Sequence, residues 1–153
     1  MFNGFNHSVM GASHEKTNLV CQDSSAFKVG DHYAIAVVAD GHGSKKHFRS
    51  HLGSKFAVEA TIEAIDRFYE DREALEANLP ANHKLIIKNI EKQIISNWNM
   101  KVEKHLAENP VTDEEKSNFK PEEFEAILPE SYYGTTLVAG ISGDNYTFGV
   151  QIG

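Results

Sequence analysis

The stretch Ala34-Ile35-Ala36-Val37-Val38-Ala39-Asp40-Gly41-His42-Gly43 decides how the rest of the chain is read. Its six apolar residues, three of them β-branched, describe a strand covered on both faces, since such strands lose their polar alternation. The run stops at Asp40. A carboxylate at the mouth of a buried strand carries a large desolvation cost unless it is paired, and a cation is the natural partner. Gly41 and Gly43 bracket His42 and let the backbone turn sharply and approach a ligand. The stretch reads as a metal-holding turn.

Working outward, residues 22–29 alternate loosely, and Gly30-Asp31 supplies a hairpin turn into the strand that begins near His32 or Tyr33. Antiparallel pairing then sets Asp23, just before the first strand, beside Asp40, just after the second. Further upstream, residues 6–12 suit a strand and residues 15–19 a polar connection. Downstream, Phe48, Leu52, Phe56, Val58, Ile62, Ile65 and Tyr69 recur at helical spacing, with Ser44 as N-cap. A helix starting there aims its N–H groups at the turn and suits an anion such as phosphate. Pro80 breaks the pattern. A second helix from about His83 carries Ile87, Ile90, Ile94, Trp98, Val102 and Leu106 on one stripe and ends before Asn109-Pro110, with Trp98 read as core. Residues 111–130 read as a long acidic surface connection, residues 132–141 as a strand, and residues 142–145 as the turn into a last strand.

A chain of 153 residues is long enough to bury a real core as one domain. Its net charge of −7 argues against nucleic acid as main partner, because neutralising phosphates needs a basic face. No apolar run reaches the roughly 20 residues of a membrane span, and the first ten residues lack the pattern of a signal peptide. The single cysteine, Cys21, has no internal disulfide partner and reads as a small packed residue, which fits a reducing, cytoplasmic setting. The last strand, Tyr146 onward, is followed by no cap or tail, so the chain is either compact with an edge strand at its end or the front of something longer.

Asp40-Gly41-His42-Gly43 after an apolar strand, Asp23 upstream, and Tyr133-Gly134-Thr135-Thr136-Leu137 after two helices stand in a telling order. The chain resembles the metal-dependent PPM, or type-2C, serine/threonine protein phosphatases, and in particular their bacterial branch. The resemblance runs from about Gly11 to the last residue and implies an α+β fold, an αββα sandwich of two mainly antiparallel sheets flanked by helices. It implies two divalent cations, Mn2+ or Mg2+, with Asp40 bridging them, the Gly41 carbonyl binding one, and Asp23 as a further carboxylate. Hard cations of this kind take oxygen ligands. The expected reaction is hydrolysis of phosphoserine and phosphothreonine in a protein substrate by a water that bridges the metals. His42 matches the general acid for the leaving alcohol, a task suited to the side chain that changes charge nearest neutrality.

The family pattern also fails to close on this chain. Gln22 stands where a glutamate is common, and the arginine that reads the substrate phosphate falls near Asn18, leaving that job to His14, Lys16 or a residue elsewhere. Later aspartates of the family have no match, so residues 1–153 read as a single domain that is the N-terminal portion of a phosphatase domain, incomplete at its C-terminus. Such a segment is expected to be inactive alone and to self-associate through uncovered edges. Two rivals are a non-catalytic phosphatase-like binding module and a zinc site built on His47 and His51, four apart on the first helix, with His42 nearby.

Overall fold

The computed structural model describes residues 2–10 and 20–153. Its strands are β1 (Ser24–Val29), β2 (Tyr33–Gly41), β3 (Thr135–Gly143) and β4 (Thr147–Ile152). Its helices are α1 (Ser50–Tyr69), α2 (Arg72–Glu108), α3 (Asp113–Ser117) and α4 (Pro121–Glu125), with short 3-10 turns at Lys45–His47 and Pro129–Tyr133. Among the described residues the strands form one antiparallel sheet in the order β1-β2-β3-β4. The fold is therefore α+β, and a second sheet is not found among these residues.

β2 is not covered on both faces. Ile35, Val37 and Ala39 are buried, whereas Ala36, Val38 and Asp40 alternate with them and are exposed. Periodicity was hidden because the open-face residues are alanine and valine, and Val38 keeps 56% of its surface in solvent. The buried set joins Leu137, Ala139, Ile141 and Val150 of β3 and β4 and packs against Ala57, Ala60, Ala64 and Ile65 of α1 and Ile90 and Ile94 of α2. Small residues on α1 let the helix sit close to the pleated surface, and Ile35, Ile65, Ile90 and Ile141 fill the space between. Trp98 packs on this core as read from its stripe, and its indole N–H donates to the Gly53 carbonyl at 3.0 Å.

The hairpin of β1 and β2 has the expected register, Ser24 opposite Ala39 and Val29 opposite Ala34. Its turn closes with the Gly30 N–H donating to the Tyr33 carbonyl at 2.9 Å. The described part of the strand expected over residues 6–12 is not a strand. There the Asn6 side-chain amide does a peptide's work: it donates to the Ser25 carbonyl at 2.8 Å and accepts from the Phe27 N–H at 3.2 Å, satisfying the outer edge of β1. The polar connection over residues 15–19, together with His14, Lys16 and Asn18, lies outside the described residues.

Two helix starts differ from the sequence reading. Residues 72–81 are already helical, with Pro80 inside them, and non-helical geometry at Asn82 then parts them from the segment that starts at His83, the break and second helix read from the sequence. The N-terminal half holds because Leu75 and Leu79 are buried and Asp71 caps it, accepting from the Ala74 N–H at 3.1 Å. Tertiary burial outweighs the one hydrogen bond a proline removes. Likewise Ser44 caps no α-helix: it precedes the 3-10 turn and makes no side-chain cap bond, and α1 begins only at Ser50. Tyr132 and Tyr133 are the buried end of a 3-10 turn, and β3 starts after them, at Thr135.

Candidate functional site

The site is built where β2 ends. Ser24 pairs with Ala39, so the next residues outward on the two strands are Asp23 and Asp40. Both line one depression of about 380 Å³, together with Ser24, Ser25, Thr136 and residues 7–9. Asp40 is exposed on the open face of the sheet, opposite Thr136 in the β2–β3 register. The two carboxylates thus share a solvent-open recess whose oxygens are the kind of donor a hard cation takes.

The turn after Asp40 is held by three bonds, two to the start of β3 and one to Gln22 ahead of β1. The Thr135 hydroxyl donates to the Asp40 carbonyl at 2.8 Å. The His42 N–H donates to the Gly134 carbonyl at 3.0 Å. The Gln22 amide reaches the His42 carbonyl at a long 3.5 Å. Gln22, read from sequence only as a lost charge, is therefore a strut of the turn.

Gly41 is required by crowding rather than by a special dihedral. A Cβ there would lie 2.4 Å from the Gln22 carbonyl oxygen and 2.9 Å from that of Ser50, both backbone atoms that cannot step aside. Gly41 and Gly43 both lack a positive φ, and a Cβ at Gly43 would meet nothing closer than Gln22 Oε1 at 3.6 Å. The sharp turn expected of the two glycines is thus a close approach at one of them.

Behind the turn lies His47, which the sequence reading set near His42 only as a zinc ligand. His47, 9% exposed, donates from Nδ1 to the Ser131 carbonyl. Its ring meets that of His42 edge to face, with centroids 4.7 Å apart and planes at 68°. Burial pushes the His47 imidazole below its ordinary range, and the neighbouring His42 adds to the effect. Gly134 passes under both rings: a Cβ on it would stand 2.4 Å from His47 Nδ1 and 3.0 Å from His42 Nδ1. The glycine of Tyr133-Gly134-Thr135-Thr136 is there to leave this space.

A buried ionic cluster anchors the same loop from the other side. Arg49, 6% exposed, clasps Glu115 through Nε at 2.7 Å and Nη2 at 2.8 Å. Its Nη1 also donates to the Tyr133 hydroxyl at 2.9 Å and the Asn109 carbonyl at 2.8 Å. The Tyr133 hydroxyl lies 2.8 Å from His105 Nδ1. With an arginine proton already directed at it, that hydroxyl gives its own proton to a neutral imidazole. His105 is accordingly held below its usual range, by burial first and then by Arg49. The guanidinium pulls Glu115 down to about 2. Residues 111–117, expected as plain surface connection, thus reach into the protein. One sign of this was legible: Thr112-x-x-Glu115 spells a capping box, and the structure forms it.

The zinc reading loses its premise, because His47 precedes α1 and so does not share a helical face with His51. Among the described residues no group of three or more His, Cys, Asp or Glu side chains comes together to hold a metal. Cys21 is half-buried beside Asp23, with Sγ 3.8 Å from the Asp23 carbonyl oxygen. No described helix is long and apolar enough to cross a membrane.

An antiparallel sheet backed by helices, with two carboxylates, a crowded glycine and a histidine gathered at one end, makes this an α+β protein with a polar recess at its strand ends. The model of one family, protein phosphatase 2C, matches residues 10–153, and the chain belongs to that family. It is a family of metal-dependent phosphatases, hydrolases acting on phosphoproteins. No curated protein and no solved structure matches the chain.

Proposed function

We propose that the chain is a phosphoserine and phosphothreonine phosphatase whose chemistry centres on Asp40. The observation that carries this reading is the shared recess: Asp23 and Asp40, from the two strands of one hairpin, line the same depression, beside the turn that bears His42. The donor set fits hard divalent cations, since carboxylate and peptide oxygens are what Mn2+ and Mg2+ prefer. Asp23, Asp40 and the Gly41 carbonyl would hold them. When bound, the cations supply charge neutralisation for the phosphoryl group and acidify water for attack. The protein's own part is to fix the carboxylates on paired strand ends and to hand a proton from His42 to the departing serine or threonine oxygen. Among the described residues the recess is open to solvent, so a phosphorylated side chain on a protein surface can enter it.

No cluster of three ligands is assembled among the described residues, so weak cation affinity and little or no turnover are expected of the chain tested by itself. The experiment is calorimetric Mn2+ titration together with hydrolysis of phosphothreonine peptide, for wild type, Asp40→Asn and Asp23→Asn. Asp40→Asn should lose both Mn2+ uptake and hydrolysis, and Asp23→Asn should weaken uptake. Unchanged Mn2+ affinity in Asp40→Asn would overturn the reading. A second reading rests on Gln22, whose amide is engaged with the His42 carbonyl and adds no charge to the recess: a phosphatase-like binding module. Phosphopeptide binding with no Mn2+-dependent hydrolysis would favour that alternative.

A further inference from the structure

The backbone of His42 is pinned on both sides, by Gly134 at its N–H and by Gln22 at its carbonyl. Those bonds fix where the side chain starts and leave its ring direction open. The ring direction is set by what it touches, and the ring it touches is His47.

We propose that His47 is a positioning residue that holds the His42 imidazole in one orientation. The inference rests on the reading of His42 as proton donor and extends it to a residue that meets no substrate. Three observations support it independently. His47 is nearly buried and tethered, because its Nδ1 proton goes to the Ser131 carbonyl. That bond fixes both tautomer and plane of the ring. The edge-to-face contact at 4.7 Å and 68° is the geometry that aromatic quadrupoles favour, so a fixed His47 gives His42 one preferred direction. Gly134 completes the seat, since its missing side chain is what lets both rings rest on one bare Cα.

The seat has a chemical purpose. A proton donor acts only when its N–H points at the leaving oxygen, and catalytic groups need holding to within roughly 10–20°. A histidine on a strand-end turn has two free torsions and no such precision of its own. His47 supplies it from a separate element, the 3-10 turn Lys45–His47.

The test uses the full chain with 13C-labelled histidine. The Cε1–H signal of His42, assigned by its disappearance in His42→Asn, should stand apart from those of the exposed His7 and His83, displaced by the neighbouring ring. In His47→Ala that displacement should be lost, and the signal should fall among those of His7 and His83. His47→Phe, which restores a ring, should recover at least half of it. Should His47→Ala fail to fold, His47→Asn serves, since its amide retains a donor for Ser131 without a ring, and the same loss is expected. A His42 signal left in place in a cooperatively folded His47→Ala or His47→Asn overturns the proposal. Hydrolysis of phosphothreonine peptide with Mn2+, whose alkoxide leaving group needs a proton, separates the two readings. A fall in kcat of about tenfold at constant KM in His47→Ala, partly restored in His47→Phe, supports positioning. Hydrolysis unaffected by Asp40→Asn overturns the phosphatase reading, while the NMR result still decides whether His47 seats the ring.

Discussion

Replacing Glu115 by glutamine should unfold the protein more readily by about 2–3 kcal/mol at pH 7, although Glu115 lies on a segment that reads as surface. Arg49 holds the Glu115 carboxyl at about 2, where 4.5 is ordinary. At about 1.4 kcal/mol per tenfold change in the protonation equilibrium, that difference is worth about 3 kcal/mol. A quarter of the Glu115 side chain remains in solvent, 25% against 7% for Arg49, so screening trims the upper figure. Glutamine keeps the shape and a hydrogen bond but leaves the Arg49 charge buried without its counterion, the situation that makes breaking a buried pair costly. The sign with pH follows from the direction of the shift. A carboxyl depressed in the folded state stabilises above its unfolded value and loses that contribution as pH falls from 4.5 toward 2. The wild-type advantage over Glu115→Gln should therefore be full at pH 6–7 and shrink steadily below pH 4.5. Urea unfolding, followed through the single tryptophan, Trp98, at pH 7, 5 and 3 measures it. A gap under about 0.5 kcal/mol at pH 7, or one that is the same at pH 3 as at pH 7, would refute the account of Arg49 as a buried charge held by Glu115.

The two glycines of the Asp-Gly-His-Gly turn should behave oppositely. Gly41→Ala drives a Cβ to 2.4 Å from a backbone oxygen and should cost about 1–3 kcal/mol, whereas Gly43→Ala, with 3.6 Å of room, should melt within a degree or two of wild type. Gly134→Ala should be as damaging as Gly41→Ala, because its Cβ meets both histidine rings; differential scanning calorimetry ranks the three, and an innocuous Gly134→Ala would contradict the seat. Mild acid should destabilise the fold through its partly buried histidines. His47, His51 and His105 are all depressed, burial being the first cause for each. The unfolded chain therefore binds protons the folded one refuses, and stability falls as pH drops through about 6.5. Proton uptake on urea unfolding at pH 6, absent at pH 8, is the measurement.

How much of this was visible in the sequence depended on the range of the interaction. The β1–β2 hairpin and the proximity of Asp23 to Asp40 were legible because a turn signal and two short runs fix a register locally. The open face of β2 was not, since Ala36 and Val38 are as apolar as the residues facing the core, and only their neighbours distinguish the two sides. Pro80 did mark a break, which falls at Asn82, but the helical turns ahead of it were not legible, because Leu75 and Leu79 hold them by burial. In the site, Asp40 and His42 announced themselves by their position after an apolar run. Arg49 and Glu115 did not. They lie 66 residues apart, and nothing local in either segment says that one buries a charge for the other.

The two short motifs of the chain turn out to be one object seen from two strands. Asp40-Gly41-His42 lies against Gly134-Thr135-Thr136 through the β2–β3 register, the Thr135 hydroxyl and the His42 N–H. Gly41 has no Cβ because Gln22 and Ser50 crowd it from one side, and Gly134 has none because His42 and His47 crowd it from the other. Each glycine is thus a condition for the partner motif's placement. A mutation in Tyr133-Gly134-Thr135-Thr136 need not reach the Asp40 recess to disturb the His42 ring, and one at Arg49 acts through the same route, since the guanidinium grips Tyr133 immediately before Gly134. The order of damage follows from this geometry. Losses at Gly134 should shift His42 directly, losses at Arg49 should loosen it through Tyr133, and losses at Glu115 should lower stability most while leaving the ring contact of the surviving folded molecules intact.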